Sequence, residues 1–266
     1  MKLKEALKGK LNAKDLQAVP SSFDVVGSIA IFNEFPPISI RKEKAVAETL
    51  MQLNPAIKTV ARKTAKFSGR LRLQKIKIIA GEKTKETMHV ENGVRLLLDV
   101  EKCYFSPRLA NERLRIARQV KKDEKVLVLF SGVGPYTCVI AKLANAKEVI
   151  GIEINRVAHK YAEENIKMNK LGNAHTMQGD VKKILPKLKG KFDRIIMPLP
   201  KTAELYLPHV MKKLNPRGVI HSYIFATEEQ FPEIVQKYKK QFRKVTLVKA
   251  GVYAPYVYRV CLDLQH

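Results

Sequence analysis

The stretch that most limits how this chain can fold is Val126-Leu127-Val128-Leu129-Phe130. It opens through Ser131-Gly132-Val133-Gly134-Pro135 into helix-forming sequence. Five apolar residues in a row read as a strand buried on both faces, the pattern of a parallel sheet covered by helices. The residues beyond it alternate between helix and strand in the same sense. A helix is expected from about Pro135 to Ala146, then a strand Val149–Glu153, a helix around Val157–Asn169 and a weak strand at Thr176-Met177. Strand Arg194–Met197 precedes a helix Ala203–Leu214 that ends at Asn215-Pro216-Arg217-Gly218, and strand Val219–Tyr223 follows. A helix Glu228–Lys240 leads to two closing strands, Val245–Lys249 and Val257–Leu264. This alternation predicts a doubly wound α/β sheet.

The first hundred residues read differently. Val25–Phe32 predicts one strand, and Arg41–Leu53 a helix with Ala45, Ala47, Leu50 and Leu53 on one face. Thr59–Arg62, Arg70–Leu73, Lys75–Ile79 and Val94–Val100 predict further strands. Arg70–Leu73 and Lys75–Ile79 alternate charged with apolar residues, as in a strand wet on one face, and the wet face carries only Arg and Lys. Residues 21–100 therefore read as a small basic α+β domain. Residues 1–20 read as a basic extension, and 101–266 as the α/β domain with a leading helix Arg108–Val120, whose apolar positions are Leu109, Leu114, Ile116 and Ala117.

Charge narrows the partner. Fifty Lys+Arg against 25 Asp+Glu leave a formal +25, which favours a polyanion, nucleic acid or an anionic membrane. No apolar run approaches the roughly 20 residues that span a bilayer. The N-terminus has neither the apolar core nor the cleavage site of a secretory signal, and it is only weakly amphipathic. Cys103, Cys138 and Cys261 have no zinc or disulfide spacing and read as buried thiols in a reducing cytoplasm.

Gly132-Val133-Gly134 lacks the third glycine of a dinucleotide fingerprint. Glu153 stands about twenty residues on, at a strand end, where an acid accepts hydrogen bonds from ribose hydroxyls. Asp180 comes after the next strand, within reach of an adenine edge. Together these point to an adenosyl cofactor; the bland alternative is ordinary strand-to-helix turns. Pro198-Leu199-Pro200 makes a stiff, donor-poor loop after the fourth strand, or merely stops it.

Several segments, in order, resemble the archaeal/eukaryotic tRNA guanine-37 N1-methyltransferases. They are Asp24–Gly27, Ala80-Gly81-Glu82, Phe105-Ser106-Pro107-Arg108-Leu109-Ala110-Asn111-Glu112-Arg113, Phe130–Pro135, Pro198–Ala203 and Gly218–Tyr223. The resemblance runs from about residue 21 to the C-terminus. It implies a class I methyltransferase, Rossmann-like with a mostly parallel sheet, preceded by the small α+β domain. The cofactor would be S-adenosylmethionine and the target the base 3′ of the tRNA anticodon. It implies Glu112 as general base and Arg72 as stabiliser of the target base, with Pro198 and Pro200 beside the chemistry. It assigns cofactor contacts to Phe105, Arg108, Phe130, Gly132, Gly134, Pro135, Glu153 and Asp180, and substrate contacts to Arg72, Arg108, Arg113 and Lys201. The expected partner is the anticodon stem-loop of tRNA, bound by a cytoplasmic monomer without metal or membrane. The residue types suit the chemistry. Guanine N1 must lose a proton before it attacks, a carboxylate such as Glu112 can take it once burial raises its pKa, and an arginine can stabilise charge on O6. From the residues alone, Glu112 reads more readily as an ion-pair partner of Arg108 or Arg115 on an exposed helix than as a base.

Three departures stand out. Most of the family has asparagine at Pro198; one archaeal branch has proline and also methylates C7 of 4-demethylwyosine, giving isowyosine. Val128 replaces an aspartate that usually makes a cofactor contact. Only about 20 residues precede the small domain, so the family's frequent extra N-terminal domain is expected to be missing or reduced to its linker. Two other readings remain open. One is an aminocarboxypropyl transferase acting on the same tricyclic base, against which Arg108 and Pro198–Lys201 argue. The other is a non-catalytic RNA-binding protein on the same fold, which Val128 favours and the joint presence of Arg72, Glu112 and Glu153 opposes.

Overall fold

A computed structural model describes residues 2–65, 69–200 and 203–266, and the chain divides into two compact units. The first comprises Met1–Val90 with Leu96–Pro107. Helices α1 (Leu3–Ala6) and α2 (Ala13–Ala18) open it, followed by strands β1 (Asp24–Val26) and β2 (Ile29–Phe32), helix α3 (Ile40–Leu53), and strands β3 (Thr59–Lys63) and β4 (Ile76–Gly81). The four strands form one sheet in chain order, with β2 and β3 parallel and the outer pairs antiparallel. Strands β5 (Glu86–Glu91) and β6 (Val94–Asp99) make a separate hairpin. Its turn is Asn92-Gly93, both at positive φ (48° and 73°), as type I′ turns require.

Three expectations change here. The stretch Val25–Phe32 is two strands, because Gly27 (φ 54°) turns the chain; a Cβ there would lie 2.2 Å from Thr87 Oγ1. Arg70–Arg72 is a turn and Leu73 a single bridge residue, rather than a strand. Arg72 sits at φ 52° with its N–H on the Gly69 carbonyl, which breaks the alternation that predicted a strand. Residues 1–20 are part of the folded unit: Leu7, Leu11 and Val19 are buried against Phe32, Val46, Leu50 and Val60. Those three apolar side chains, spaced among lysines, supply a core that the basic composition hides.

The second unit comprises Arg108–His266 together with the hairpin tip Glu91–Arg95. A single 3-10 turn (Pro107–Leu109) leads into α4 (Ala110–Gln119). Strand β7 (Lys125–Leu129), helix α5 (Pro135–Leu143), strand β8 (Glu148–Glu153), helix α6 (Arg156–Met168), strand β9 (Ala174–Gln178) and helix α7 (Val181–Ile184) come next. Then come β10 (Phe192–Met197), α8 (Ala203–Met211), β11 (Leu214–Ala226), α9 (Phe231–Lys239), β12 (Lys244–Ala254) and β13 (Val257–Gln265). The seven strands form one sheet in the order β12-β13-β11-β10-β7-β8-β9. Strands β7 to β11 are parallel, and β13 runs antiparallel between β11 and β12. Val126–Leu129 are fully buried, as the unbroken apolar run predicts. Helix α8 stops before Leu214, and Asn215–Gly218 is absorbed into β11 as an irregularity against β10.

Two chain directions diverge at the middle of this sheet. From β7 the chain winds outward through β8 and β9, then returns to β10 on the other side of β7. The carboxyl ends of β7 and β10 therefore flank the point where strand order reverses, which is where open α/β sheets hold their ligands.

Candidate active site

The loop after β7 is built from left-handed residues: Phe130 (φ 54°), Gly132 (57°) and Gly134 (82°). Pro135 then starts α5, where a missing N–H leaves no bond unmade. The Gly132 N–H donates to Glu153 Oε2 at 2.7 Å, and Asn155 N–H to Oε1 at 2.7 Å. Glu153 is buried. Burial pushes its carboxyl above the ordinary value, with the backbone donors of Asn155 and Gly132 working against that rise. Each of its oxygens keeps a second lone pair for a ligand hydroxyl. The Gly179 N–H bonds the Glu153 carbonyl at 2.8 Å, which brings Asp180 alongside. Asp180 is half-buried and caps α7 by accepting from Lys182 N–H at 2.9 Å. Gly134 has a packing reason besides its φ, because a Cβ there would lie 3.3 Å from Ala162 Cβ. A glycine-bearing loop, a buried strand-end glutamate and an aspartate at the next strand end fit the ribose and base of an adenosyl group. Val128 is fully buried between Gly151 and Ile196 and offers that group no polar contact.

The loop after β10 places Pro198 half-buried and Pro200 buried, and the Pro198 carbonyl accepts from Arg259 at 3.4 Å. Lys201 lies outside the described residues. Arg108, in the turn before α4, is exposed. Arg72 and Phe105 belong to the first unit. There the Arg72 guanidinium lies 4.5 Å over the Tyr104 ring, and Phe105 packs edge-on against His89.

Glu112 occupies the first turn of α4, yet it is buried rather than on an exposed face. Tyr223 Oη donates to its Oε1 at 2.5 Å, and Arg115 holds both oxygens, at 2.7 and 2.8 Å. In the register of the sheet Met197 faces Ser222, so Tyr223 stands one residue past the end of β10, level with Pro198. Glu112 is thus held at the carboxyl edge, beside the strand-order reversal. The ion pair with Arg115 that sequence left open is present, and it serves to fix a buried carboxylate.

Most of this network escaped sequence reasoning. Arg115 also binds Asp263 at 2.6 Å, and Asp263 accepts from His221 Nδ1 at 2.7 Å. His221 Nε2 lies 2.7 Å from Arg194, which clamps Glu124 through two bonds. An arginine only donates, so Nε2 must accept and Nδ1 must carry the proton. Burial pushes the His221 pKa down, against the pull of Asp263. For Arg115, burial is outweighed by the bonds to Glu112 and Asp263, which keep its pKa above the ordinary range. For Asp263, burial is likewise outweighed by His221 and Arg115, and its carboxyl stays well below the carboxylate range. His221, Cys261 and Asp263 converge closely enough to ligate a metal. Their polar atoms are already committed to each other and to two guanidiniums, whose charge opposes a cation. The available sequence signal was a histidine, an aspartate and a tyrosine set in largely apolar strands. Cys103, Cys138 and Cys261 are buried thiols outside any disulfide, and burial pushes the Cys138 thiol up to about 12.

Arg113 corrects one expectation. Its guanidinium is 2% exposed and makes a two-bond pair with Glu91, each bond 2.5 Å. A group closed in this way presents no charge to a substrate.

His221 also predicts a pH effect. Its folded pKa lies below the unfolded value of about 6.5, so below that pH the unfolded chain takes up a proton that the native state refuses. Stability should fall on acidification from about pH 6.5, by at most ~1.4 kcal/mol per pH unit. Asp263 adds a loss in the same direction only below about pH 4. Urea midpoints at pH 7.5, 6.5 and 5.5 should show a shallower dependence for His221→Gln; parallel curves would contradict this.

The sheet order, with its antiparallel β13 between β11 and β12, and the loop-and-glutamate site define a class I methyltransferase fold. A model of the TRM5/TYW2 methyltransferase domain matches residues 87–249, and one of the TYW2 N-terminal domain matches residues 3–84. The chain belongs to the TRM5/TYW2 methyltransferase family. It is 38% identical over 255 residues to the tRNA (guanine(37)-N(1))-methyltransferase Trm5b of Pyrococcus abyssi, covering 93% of this chain and 75% of that protein. It is 33% identical over 270 residues to the tRNA (guanine(37)-N(1))/4-demethylwyosine(37)-methyltransferase Taw22 of Nanoarchaeum equitans, covering 82% of this chain and 88% of that one. The solved complex of aTrm5 with tRNALeu superposes with a TM-score of 0.86 at 30% identity, over 100% of this chain and 78% of that one. Among the described residues no helix is long and apolar enough to cross a membrane.

Proposed function

We propose that this protein transfers a methyl group from S-adenosylmethionine to N1 of guanosine 37 in tRNA. The observation that carries this is Glu112, a buried carboxylate fixed by Arg115 and Tyr223 at the carboxyl edge, next to the strand-order reversal. Two relatives whose names state that reaction support it. The sulfonium of the cofactor supplies an activated methyl group. Gly132, Glu153 and Asp180 hold the cofactor's ribose and base. Glu112 takes the N1 proton; Arg115 and Tyr223 keep its lone pairs aimed rather than free to rotate. Arg72, resting on Tyr104, is assigned by resemblance the negative charge that develops on O6. Arg108 and Lys201 are assigned tRNA contacts on the same ground, which suits a chain of net charge +25 acting in the cytoplasm as a monomer. The test is mass spectrometry of nucleoside 37 after incubation with an unmodified tRNA transcript. A gain of one methyl group, located on N1, supports the reading. An aminocarboxypropyl adduct, or no change despite tRNA binding, rejects it.

Pro198 favours a second activity, methylation of C7 in 4-demethylwyosine. Its side chain has no amide to orient guanine, and its carbonyl is tied to Arg259. The Nanoarchaeum relative is named for both substrates. Pro198→Asn should keep N1 methylation and weaken C7 methylation by about tenfold, the size of a change in pocket shape beside the base. Equal effects on tRNAs bearing guanosine and 4-demethylwyosine would remove the basis for this assignment.

A further inference from the structure

Strands β12 and β13 extend past the carboxyl edge of the sheet, since Tyr258 pairs with Ala226, four residues beyond Ser222. Ala254 pairs with Val257, leaving Pro255 and Tyr256 as the turn. Proline at the first of these positions and φ 61° at the second define a turn whose second position takes glycine or asparagine. A bulky side chain there is strained. Tyr256 nevertheless occupies it and is 85% exposed, so its ring contributes nothing to the core. Val252 and Tyr253 are exposed beside it. Tyr253 stacks on Phe225 at 3.9 Å, and the Arg259 guanidinium lies 5.4 Å over the other member of that pair. Arg259 in turn bonds the Pro198 carbonyl, so the hairpin base adjoins the loop after β10.

Along this part of the chain the charge is one-sided, although Lys239, Lys240, Arg243 and Lys244 lie toward the end of β12 away from the tip. From Ile234 to Leu262 the chain carries seven Lys or Arg and no Asp or Glu. Two of them are paired, Lys237 with Glu204 at 3.0 Å and Lys249 with Glu228 at 2.6 Å. Exposed aromatic rings on a chain of net charge +25 match the two needs of unpaired nucleic acid, a flat partner for a base and positive charge for its phosphates.

We propose that the β12–β13 tip is a stacking surface for an unpaired nucleotide of the RNA substrate, with Tyr256 as its main contact. Strain at Tyr256 is retained because the ring must be displayed, and stacking places the loop bases on the edge where Glu112 lies. This rests on the RNA-directed reading above, and its test separates the two. The chain has no tryptophan, so Tyr256→Trp creates a single fluorophore at the tip. Its emission should be quenched by a tRNA transcript and unchanged by a loop-free RNA duplex. Tyr256→Gly relieves the backbone strain, so it should melt no lower than wild type while binding tRNA about tenfold more weakly. Tyr256→Phe should keep wild-type affinity. Retarded migration of the tRNA complex without quenching, and with Tyr256→Gly binding like wild type, overturns this surface and leaves the proposed function standing. No binding of any tRNA overturns both. A Tyr256→Gly shift from dimer to monomer in sedimentation, with tRNA affinity unchanged, would instead mark a contact between copies and overturn the proposal.

Discussion

Glu112→Gln should lower the single-turnover methylation rate by about 10²-fold or more, with cofactor and tRNA dissociation constants nearly unchanged. The amide fills the same space and can still accept from Tyr223, so the site keeps its shape. It cannot take the N1 proton. It also loses the charge that pairs with Arg115, although Arg115 retains Asp263 at 2.6 Å and so is not left without a counter-charge. The effect should therefore fall on chemistry rather than folding, which rapid-quench kinetics beside equilibrium tRNA binding will resolve. A wild-type single-turnover rate would sink the base assignment. A loss confined to tRNA affinity would make Glu112 structural, as its ion pair alone would suggest.

Arg113→Ala should be the most damaging single change to stability, at roughly 3–5 kcal/mol. Arg113 and Glu91 are both nearly inaccessible, and removing Arg113 takes from a buried carboxylate the guanidinium that holds both its oxygens. For a unit of this size the loss corresponds to a fall in melting temperature on the order of 10 °C. The paired replacement Glu91→Leu with Arg113→Met removes both charges and should recover most of it, since a buried ion pair contributes little net stability over an apolar pair of similar volume. Calorimetry of the three proteins checks this. An Arg113→Ala variant as stable as wild type would show that the pair opens in solution, and would return Arg113 to the residues available to RNA.

These two neighbours in sequence show where reading a chain succeeds and where it stops. Both lie in a predicted helix whose apolar positions, Leu109, Leu114, Ile116 and Ala117, were legible; Leu114 is half-buried and the other three are buried. Yet Glu112 and Arg113 are buried too, and no local pattern announces a buried charge. Their partners stand far off along the chain: Tyr223 is 111 residues from Glu112, and Glu91 is 22 from Arg113. In the first unit, alternation suggested a strand through Arg70–Leu73, but a single left-handed residue, Arg72, broke it with a turn. The lysines of residues 1–20 likewise hid three core side chains, because composition averages over positions that packing treats one by one.

By itself the sequence determined most elements of the second unit and their class. Apolar runs separated by amphipathic helices leave few ways to bury both faces of a sheet, and Gly132, Gly134 and Pro135 can be read locally because their backbone requirements are local. Only the tertiary structure decided what surrounds the carboxylate. The chain linking Glu112 to Arg115, Asp263, His221 and Arg194 depends on the register of β10, β11 and β13. Since side chains alternate between the two faces of a strand, a slip of one residue would turn His221, Tyr223 and Asp263 away from it.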